Sequence, residues 1–340
     1  MSDSPEDIGQ DSSFDEVLEA LGDESIPFPA RHLYQLSVLG PNQINEFSAV
    51  FAQLSPQRRL GILQDLEIIG EANTVTNFDA ISRIALFDDD AEVRVVAIRS
   101  LWQSENNNLI PEFLSLLDED PSLKVRAQAA SALGRFVFLG ELGRVSAENL
   151  ELLLKRLLAL MDEDVDALIR RRALESLGYS GRESVAARIL DSYEFGDEDW
   201  QASALFAMGR SVDDRWAPQV IERLDDINPD LSKEAARAAG ELELEVAVPA
   251  LLDLLQSNDS SIRLAAAWSL SQIGGSEVGE ALEELLEHTG DEDEIDILED
   301  ALENLAFKDE LGLNLLAFSE DDLDDLANPE SSGENGIEPL

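Results

Sequence analysis

Apolar residues along this chain fall at helical spacing, in short runs separated by polar turns. Between residues 247 and 274, Leu251, Leu252, Leu254 and Leu255 follow Pro249 with the period of a helix. Pro249 suits a first helical turn, where its missing N–H costs little. Ser257-Asn258-Asp259-Ser260 ends that run and offers N-cap side chains to the next one. The next run extends from Ile262 to Ile273 and stops at Gly274-Gly275. Two helices joined by a tight turn are predicted.

The second helix carries a motif that recurs. It reads as an apolar residue, often Arg, two variable residues, Ala, three variable residues, Leu or similar, then often Gly. Copies are Val93-Arg94…Ala97…Leu101, Val125-Arg126…Ala129…Leu133-Gly134 and Ile169-Arg170…Ala173…Leu177-Gly178. Others are Trp200-Gln201…Ala204…Met208-Gly209, Leu231-Ser232…Ala235…Ala239-Gly240, Ile262-Arg263…Ala266…Leu270 and the weaker Ile297-Leu298…Ala301…Leu305. The Arg-equivalent positions are spaced by 32, 44, 31, 31, 31 and 35 residues. Three consecutive spacings of 31 mark an internal repeat. An insertion at 135–150 accounts for the 44, and Pro218 precedes Pro249 by 31. Degenerate copies surround Arg59…Ile62…Leu66 and residues 31–40.

Each helix pair has an apolar face that only a neighbouring pair can bury, so such repeats fold as an array. The small Ala lets neighbouring helices approach closely. The Arg follows acids such as Asp89, Asp90, Asp120, Asp164 and Asp259, which predicts an Asp–Arg ladder between repeats. Gln201, Ser232 and Leu298 replace the Arg, and the ladder is expected to be interrupted there.

On this motif the chain resembles HEAT-repeat proteins, in particular the short bacterial HEAT-like repeats associated with phycobilisome (bilin) lyases. The resemblance spans roughly residues 27–310. It implies an all-α, right-handed α-solenoid of eight or nine HEAT-like helix pairs, with the second helices lining the concave surface. It is specific for architecture and says little of function.

At the N-terminal side, Ser13-Phe14-Asp15-Glu16 reads as a capping box, and Phe14, Val17, Leu18 and Leu21 share one helical face. A cap packed on the first repeat is the preferred reading, with a docking helix as the alternative. Residues 318–340 alternate Leu with acids and then become rich in Pro, Ser and Gly, a composition expected to be disordered. The organisation expected is an acidic segment at 1–26 with a short amphipathic helix, a solenoid at 27–317 and an acidic tail at 318–340.

Composition narrows the function classes. There are 72 Asp and Glu against 24 Lys and Arg, a net charge of −48. Residues 1–26 hold nine of the acids and 318–340 hold eight, with no Lys or Arg in either. That leaves 55 acids against all 24 bases between them, so the excess is not confined to the ends. Such a field repels nucleic acid and anionic membranes and attracts basic partners. Adaptation to high salt is the plainer explanation of the same composition. The chain has no Cys, which excludes disulfides, thiolate metal sites and cysteine nucleophiles. The acidic first 26 residues lack an apolar run, so no signal peptide is expected, and no stretch is long enough to span a membrane. A cytoplasmic monomer is the default expectation.

Candidate chemistry is sparse. The two histidines precede Leu33 and Thr289, so the repeated His-Glu pairs that hold iron in deoxyhypusine hydroxylase, which has the same architecture, are missing. Asp162, Asp164 and Asp166 have the spacing of calcium-loop ligands, but Ala167 and Ala173 stand where that loop needs Gly and Glu. That stretch and Asp291-Glu292-Asp293-Glu294 read better as solvated turns. No phosphate loop, dinucleotide fingerprint or nucleophile elbow is present. No catalytic residue, metal or cofactor is assigned.

One binding face can be read. Counting from the Arg-equivalent position, residues one before and three, six and seven after it face the core. Those one and five after it point away. The five-after stripe reads Arg99, Ser131, Glu175, Phe206, Arg237, Trp268 and Glu303. The one-after stripe reads Val95, Ala127, Arg171, Ala202, Lys233, Leu264 and Glu299. The acidic chain thus sets Arg99, Arg171, Phe206, Lys233, Arg237 and Trp268 along one set of helices. Exposed aromatics beside Arg are common binding anchors, with burial of Phe206 and Trp268 between repeats as the alternative. The function expected is a non-catalytic scaffold or adaptor holding a protein or peptide partner, with an acidic or aromatic segment such as 318–340 as one occupant. The alternatives are an accessory, chaperone-like or bilin-lyase-like protein, and an acidic shield for basic clients.

Overall fold

The protein is described from a computed structural model, which covers residues 13–317 apart from Thr74, Asp164 and Ser276, with side chains as far as Lys308. Every regular element among these residues is helical. The order begins α1 (Phe14–Gly22), α2 (Ala30–Leu33), α3 (Pro41–Phe51), α4 (Pro56–Ala72), α5 (Asp79–Ala85) and α6 (Ala91–Ser100). It continues α7 (Leu109–Glu119), α8 (Leu123–Glu141), α9 (Ala147–Leu160), α10 (Ala167–Leu177), α11 (Glu183–Phe195) and α12 (Glu198–Arg210). The rest are α13 (Ala217–Arg223), α14 (Pro229–Glu241), α15 (Val248–Leu254), α16 (Ser260–Ile273), α17 (Val278–His288) and α18 (Glu292–Ala317). From α3 onward the helices alternate as first and second members of pairs, and the recurring motif lies on the second member each time.

Short polar side chains start the second helices. Asp90, Asp166, Asp197, Asn228 and Asp259 each accept a hydrogen bond from a backbone N–H of the first turn they cap. Pro sits in the first turn of α13 and α15, as the 31-residue spacing of Pro218 and Pro249 predicts. Gly274, at φ 85°, closes α16 with its amide on the Leu270 carbonyl. The insertion at 135–150 is taken up mainly as extra turns of α8, which runs for 19 residues, with Gly140 lying against Leu150.

The described residues form two compact units that divide between Ser192 and Tyr193. In the first, α4, α6, α8 and α10 pack side by side in sequence, each on the next. In the second, α12, α14, α16 and α18 do the same, with α13, α15 and α17 each against its own pair mate. Each unit is therefore an all-α solenoid array. The predicted core positions three and seven after the Arg hold: Ala97, Ala129, Ala173, Ala204, Ala235 and Ala266 are buried, as are Leu101, Leu133, Leu177, Met208, Ala239 and Leu270, whereas Ser100, Ala132 and Trp200 are only half-buried. In the first unit Ser13 caps α1, whose Val17 and Leu21 are buried where α1 packs on α3.

Small residues set the distance between neighbouring second helices. A Cβ on Gly134 would lie 2.8 Å from Ser176 Oγ, and one on Gly240 only 2.6 Å from Ser269 Oγ. The glycine of one motif thus receives the serine six after the Arg position of the next. That serine hydroxyl donates across the seam: Ser176 to the Ala130 carbonyl at 2.8 Å and Ser269 to the Ala236 carbonyl at 2.7 Å. At Gly209 the facing residue is Ala238. Close approach gains dispersion contacts, and the hydroxyl fixes the register with a bond that an alanine lacks.

The Asp–Arg ladder is present in part. Arg59 pairs with Asp88 at 2.7 Å and Arg94 with Asp120 at 2.8 Å, each reaching an acid of the following repeat. Arg263 pairs in the same sense with Glu294. Asp164, a predicted rung, lies outside the described residues. These arginines also donate to backbone carbonyls that precede their helices: Arg94 to Asp88, Arg126 to Leu117 and Arg263 to Ser257. At two of the three replacements this local half survives. Gln201 donates to the Tyr193 carbonyl at 3.1 Å and Ser232 to the Leu224 carbonyl at 2.7 Å. The carbonyl exposed at the end of the first helix must be satisfied, and a shorter donor suffices for that.

Candidate functional site

The six residues singled out for binding divide between the units. Arg99 and Arg171 lie in the first, on α6 and α10. Arg99 is exposed, and its guanidinium is held by both carboxylate oxygens of Glu67 on α4. That bond raises its already high pKa further. Arg171 is half-buried. The stripe they were drawn from is not uniformly outward. Glu175 is buried and pairs with Arg172 at 2.6 Å, and Ala127 is buried in α8.

The other four lie in the second unit. Lys233 and Arg237 stand one turn apart on α14, and Trp268 stands on α16. These three line a single groove of about 300 Å³, with Leu264 of α16 and Ile297 of α18. Trp268 is 37% exposed, so its indole is not an inter-repeat core group. The lining thus combines apolar Leu264, Trp268 and Ile297 with cationic Lys233 and Arg237. Lys233 is braced by Asp230 at 2.9 Å. Arg237 has Glu234 at the longer distance of 3.7 Å, and its side chain remains 51% exposed.

Phe206 does not line this groove. It is half-buried on α12, and the Arg210 guanidinium lies 4.0 Å above its ring. Glu241 lies beside this pair, its carboxylate over the bare backbone of Gly209. Burial pushes the Glu241 carboxyl above its usual range, Arg210 and Arg237 pull it back, and Glu234 pushes it up again. Arg237 therefore belongs both to the groove and to a charged seam between α12 and α14. The i, i+4 spacing of Phe206 and Arg210 was the available sequence signal for this stack. Ile297 was also missed, because its motif position reads as core.

The acidic runs have structural occupations. Asp162 pairs with Arg188 at 2.7 Å, and Asp166 caps α10. Asp291 accepts from the Asp293 and Glu294 amides, and buried Glu294 takes Thr289 as well as Arg263. Among the described residues, no group of three or more His, Asp or Glu is placed to hold a metal ion. No helix among them is long and apolar enough to cross a membrane.

The family model for HEAT repeats matches residues 79–178 and 217–306, more than half of the chain. The chain belongs to the HEAT-repeat family. In sequence this HEAT-repeat chain is similar to the bilin biosynthesis protein CpeZ of Synechococcus sp. (strain WH8020). The two are 32% identical over 149 residues, which is 40% of this chain and 79% of that protein. In fold it is similar to the complex of CpcE and CpcF of phycocyanin lyase from Nostoc sp. PCC7120. That likeness has 16% identity, covers 90% of this chain and 99% of that one, and has a TM-score of 0.41. It is also similar to yeast importin-beta (Kap95p), with 13% identity, 86% and 46% coverage and a TM-score of 0.46.

Proposed function

We propose that this HEAT-repeat protein is a non-catalytic scaffold whose second unit holds a segment of a partner protein in the groove of Lys233, Arg237 and Trp268. The observation that carries this reading is a partly exposed indole lining one groove with two cations, on a chain of net charge −48. An exposed aromatic in a concave, mostly apolar site supplies contact area, and cations in its lining select for carboxylates.

A second reading is supported by the 32% identity to a bilin biosynthesis protein. Here the protein is an accessory in handling a bilin. A bilin is an open-chain tetrapyrrole with an extended π system and two propionate carboxylates. A groove lined by an indole, an ammonium and a guanidinium suits that chemistry as well as it suits an acidic peptide.

One set of proteins tests both. Immobilised full-length chain, its Trp268→Ala and Arg237→Glu variants, and Trp102→Ala as an exposed indole of the other unit, are offered source-cell lysate at about one and three times physiological salt. The scaffold reading expects a protein that survives the higher salt, is lost with Trp268→Ala and Arg237→Glu, and is kept by Trp102→Ala. Basic proteins lost with salt and indifferent to all three variants would favour the acidic shield. Titration of purified phycocyanobilin, followed by its visible absorbance, tests the second reading. Saturable binding abolished by Trp268→Ala supports it, and an unchanged spectrum removes it.

A further inference from the structure

Resting on the reading that this groove takes an acidic segment, we propose that the chain supplies a competing occupant itself: residues 324–338 fold back onto the Lys233–Arg237–Trp268 groove. Charge is the first argument. Residues 318–340 contain eight acids and no Lys or Arg, and acids adjoin the apolar side chains in Asp324-Asp325-Leu326 and Ile337-Glu338. The groove presents the complementary set, with apolar Leu264, Trp268 and Ile297 and cationic Lys233 and Arg237 in its lining. Arg237 is open to a further carboxylate, since its side chain is 51% exposed and Glu234 stands 3.7 Å away.

Geometry is the second argument. Ile297, a wall of the groove, belongs to α18, the helix that leads into this segment. From Ile297 to Ala317 the helix advances about 30 Å at ~1.5 Å per residue. Leu326 follows Ala317 by nine residues and can reach back about 30 Å when extended at ~3.3 Å per residue. Ile337, twenty residues past Ala317, has about twice the length required. Tethering holds such a segment at roughly millimolar effective concentration, so a weak contact suffices to occupy the groove. A partner must then bind more tightly than the tail in order to displace it.

The absence of cysteine in the chain permits a clean test. A single thiol introduced as Ser332→Cys in the full-length protein is labelled with a benzophenone maleimide, irradiated at high dilution and mapped by mass spectrometry. Mixed isotope-labelled and unlabelled chains separate contacts within a chain from contacts between copies. Intrachain cross-links concentrated on the groove side chains of α14, α16 and α18 are expected. Arg237→Glu should cut them at least about fivefold with helicity unchanged, since it replaces an attraction by a repulsion. Cross-links scattered over both units, found between copies, or indifferent to Arg237→Glu would overturn the proposal. Scattered cross-links with partner capture that still needs Trp268 would overturn the tail contact alone. Scattered cross-links with capture indifferent to Trp268 would remove both readings.

Discussion

Gly240→Ala tests how closely the second helices pack. The added Cβ would lie 2.6 Å from Ser269 Oγ, 2.7 Å from its Cα and 2.8 Å from its Cβ. Since 3.4 Å begins ordinary contact, α14 and α16 must part locally by about 0.7 Å. Overpacking of this kind costs about 1–3 kcal/mol. The hydrogen bond from Ser269 to the Ala236 carbonyl stretches as well, at about 0.5–1.5 kcal/mol. Against these stands a helix-propensity gain of about 1 kcal/mol. The net is a loss of about 1–3 kcal/mol, or a Tm lower by roughly 3–10 °C for a unit of this size. Gly61→Ala is the matched control, because nothing lies within 4 Å of its added Cβ on α4. It gains the propensity alone and should raise Tm by about 2–3 °C. Thermal unfolding followed by far-ultraviolet circular dichroism reads both. Ser269→Ala should not rescue Gly240→Ala, since the Cα and Cβ of residue 269 remain in the way. If Gly240→Ala raised Tm as Gly61→Ala does, the close seam would be wrong.

Three further changes probe other parts of the structure. Arg94→Met leaves the buried Asp120 carboxylate without its partner and should cost about 3–5 kcal/mol in urea unfolding, much of it recovered by adding Asp120→Asn. Val212 is a β-branched residue at φ 48° and is 77% exposed, while Gly143 holds the like place after α8. Val212→Gly should therefore stabilise by about 1 kcal/mol, and a lower urea midpoint would contradict that backbone argument. Glu241 holds its proton more tightly folded than unfolded, so its ionised form weighs against folding above the raised pKa. Glu241→Gln should raise Tm at neutral pH, with the gain vanishing at acid pH where the wild-type carboxyl is protonated. A lower Tm at neutral pH would mean that attraction to Arg210 and Arg237 outweighs desolvation.

The repeat was legible because its spacing and its apolar register are local properties of the chain. Pro249, Asp259, the buried alanines and Gly274 stand where the 31-residue pattern places them. The limits of legibility were contacts that a motif position does not encode. Glu175 reads as outward, yet it is buried and paired with Arg172. Gln201 and Ser232 read as missing rungs, yet both keep the donor to the carbonyl before their helix. Ile297 reads as core. Leu298 replaces the arginine and is buried with Glu294, Ala301 and Leu305, so the inward face of α18 is rotated and Ile297 turns out to the groove. The register of Lys233, Arg237 and Trp268 was visible in the sequence. The separation of Arg99 and Arg171 from them depends on where the two units divide, which no local pattern records.

Hydroxyl-radical footprinting of the chain shortened after Ala317, in which no tail can cover the groove, with the partner recovered by capture tests the central claim most directly, by comparing oxidation of Trp268 and Trp102 with and without that partner. The groove reading predicts that Trp268 becomes protected while Trp102 keeps its free rate. Trp268 oxidised equally in both states, or protection at Trp102 instead, would contradict it.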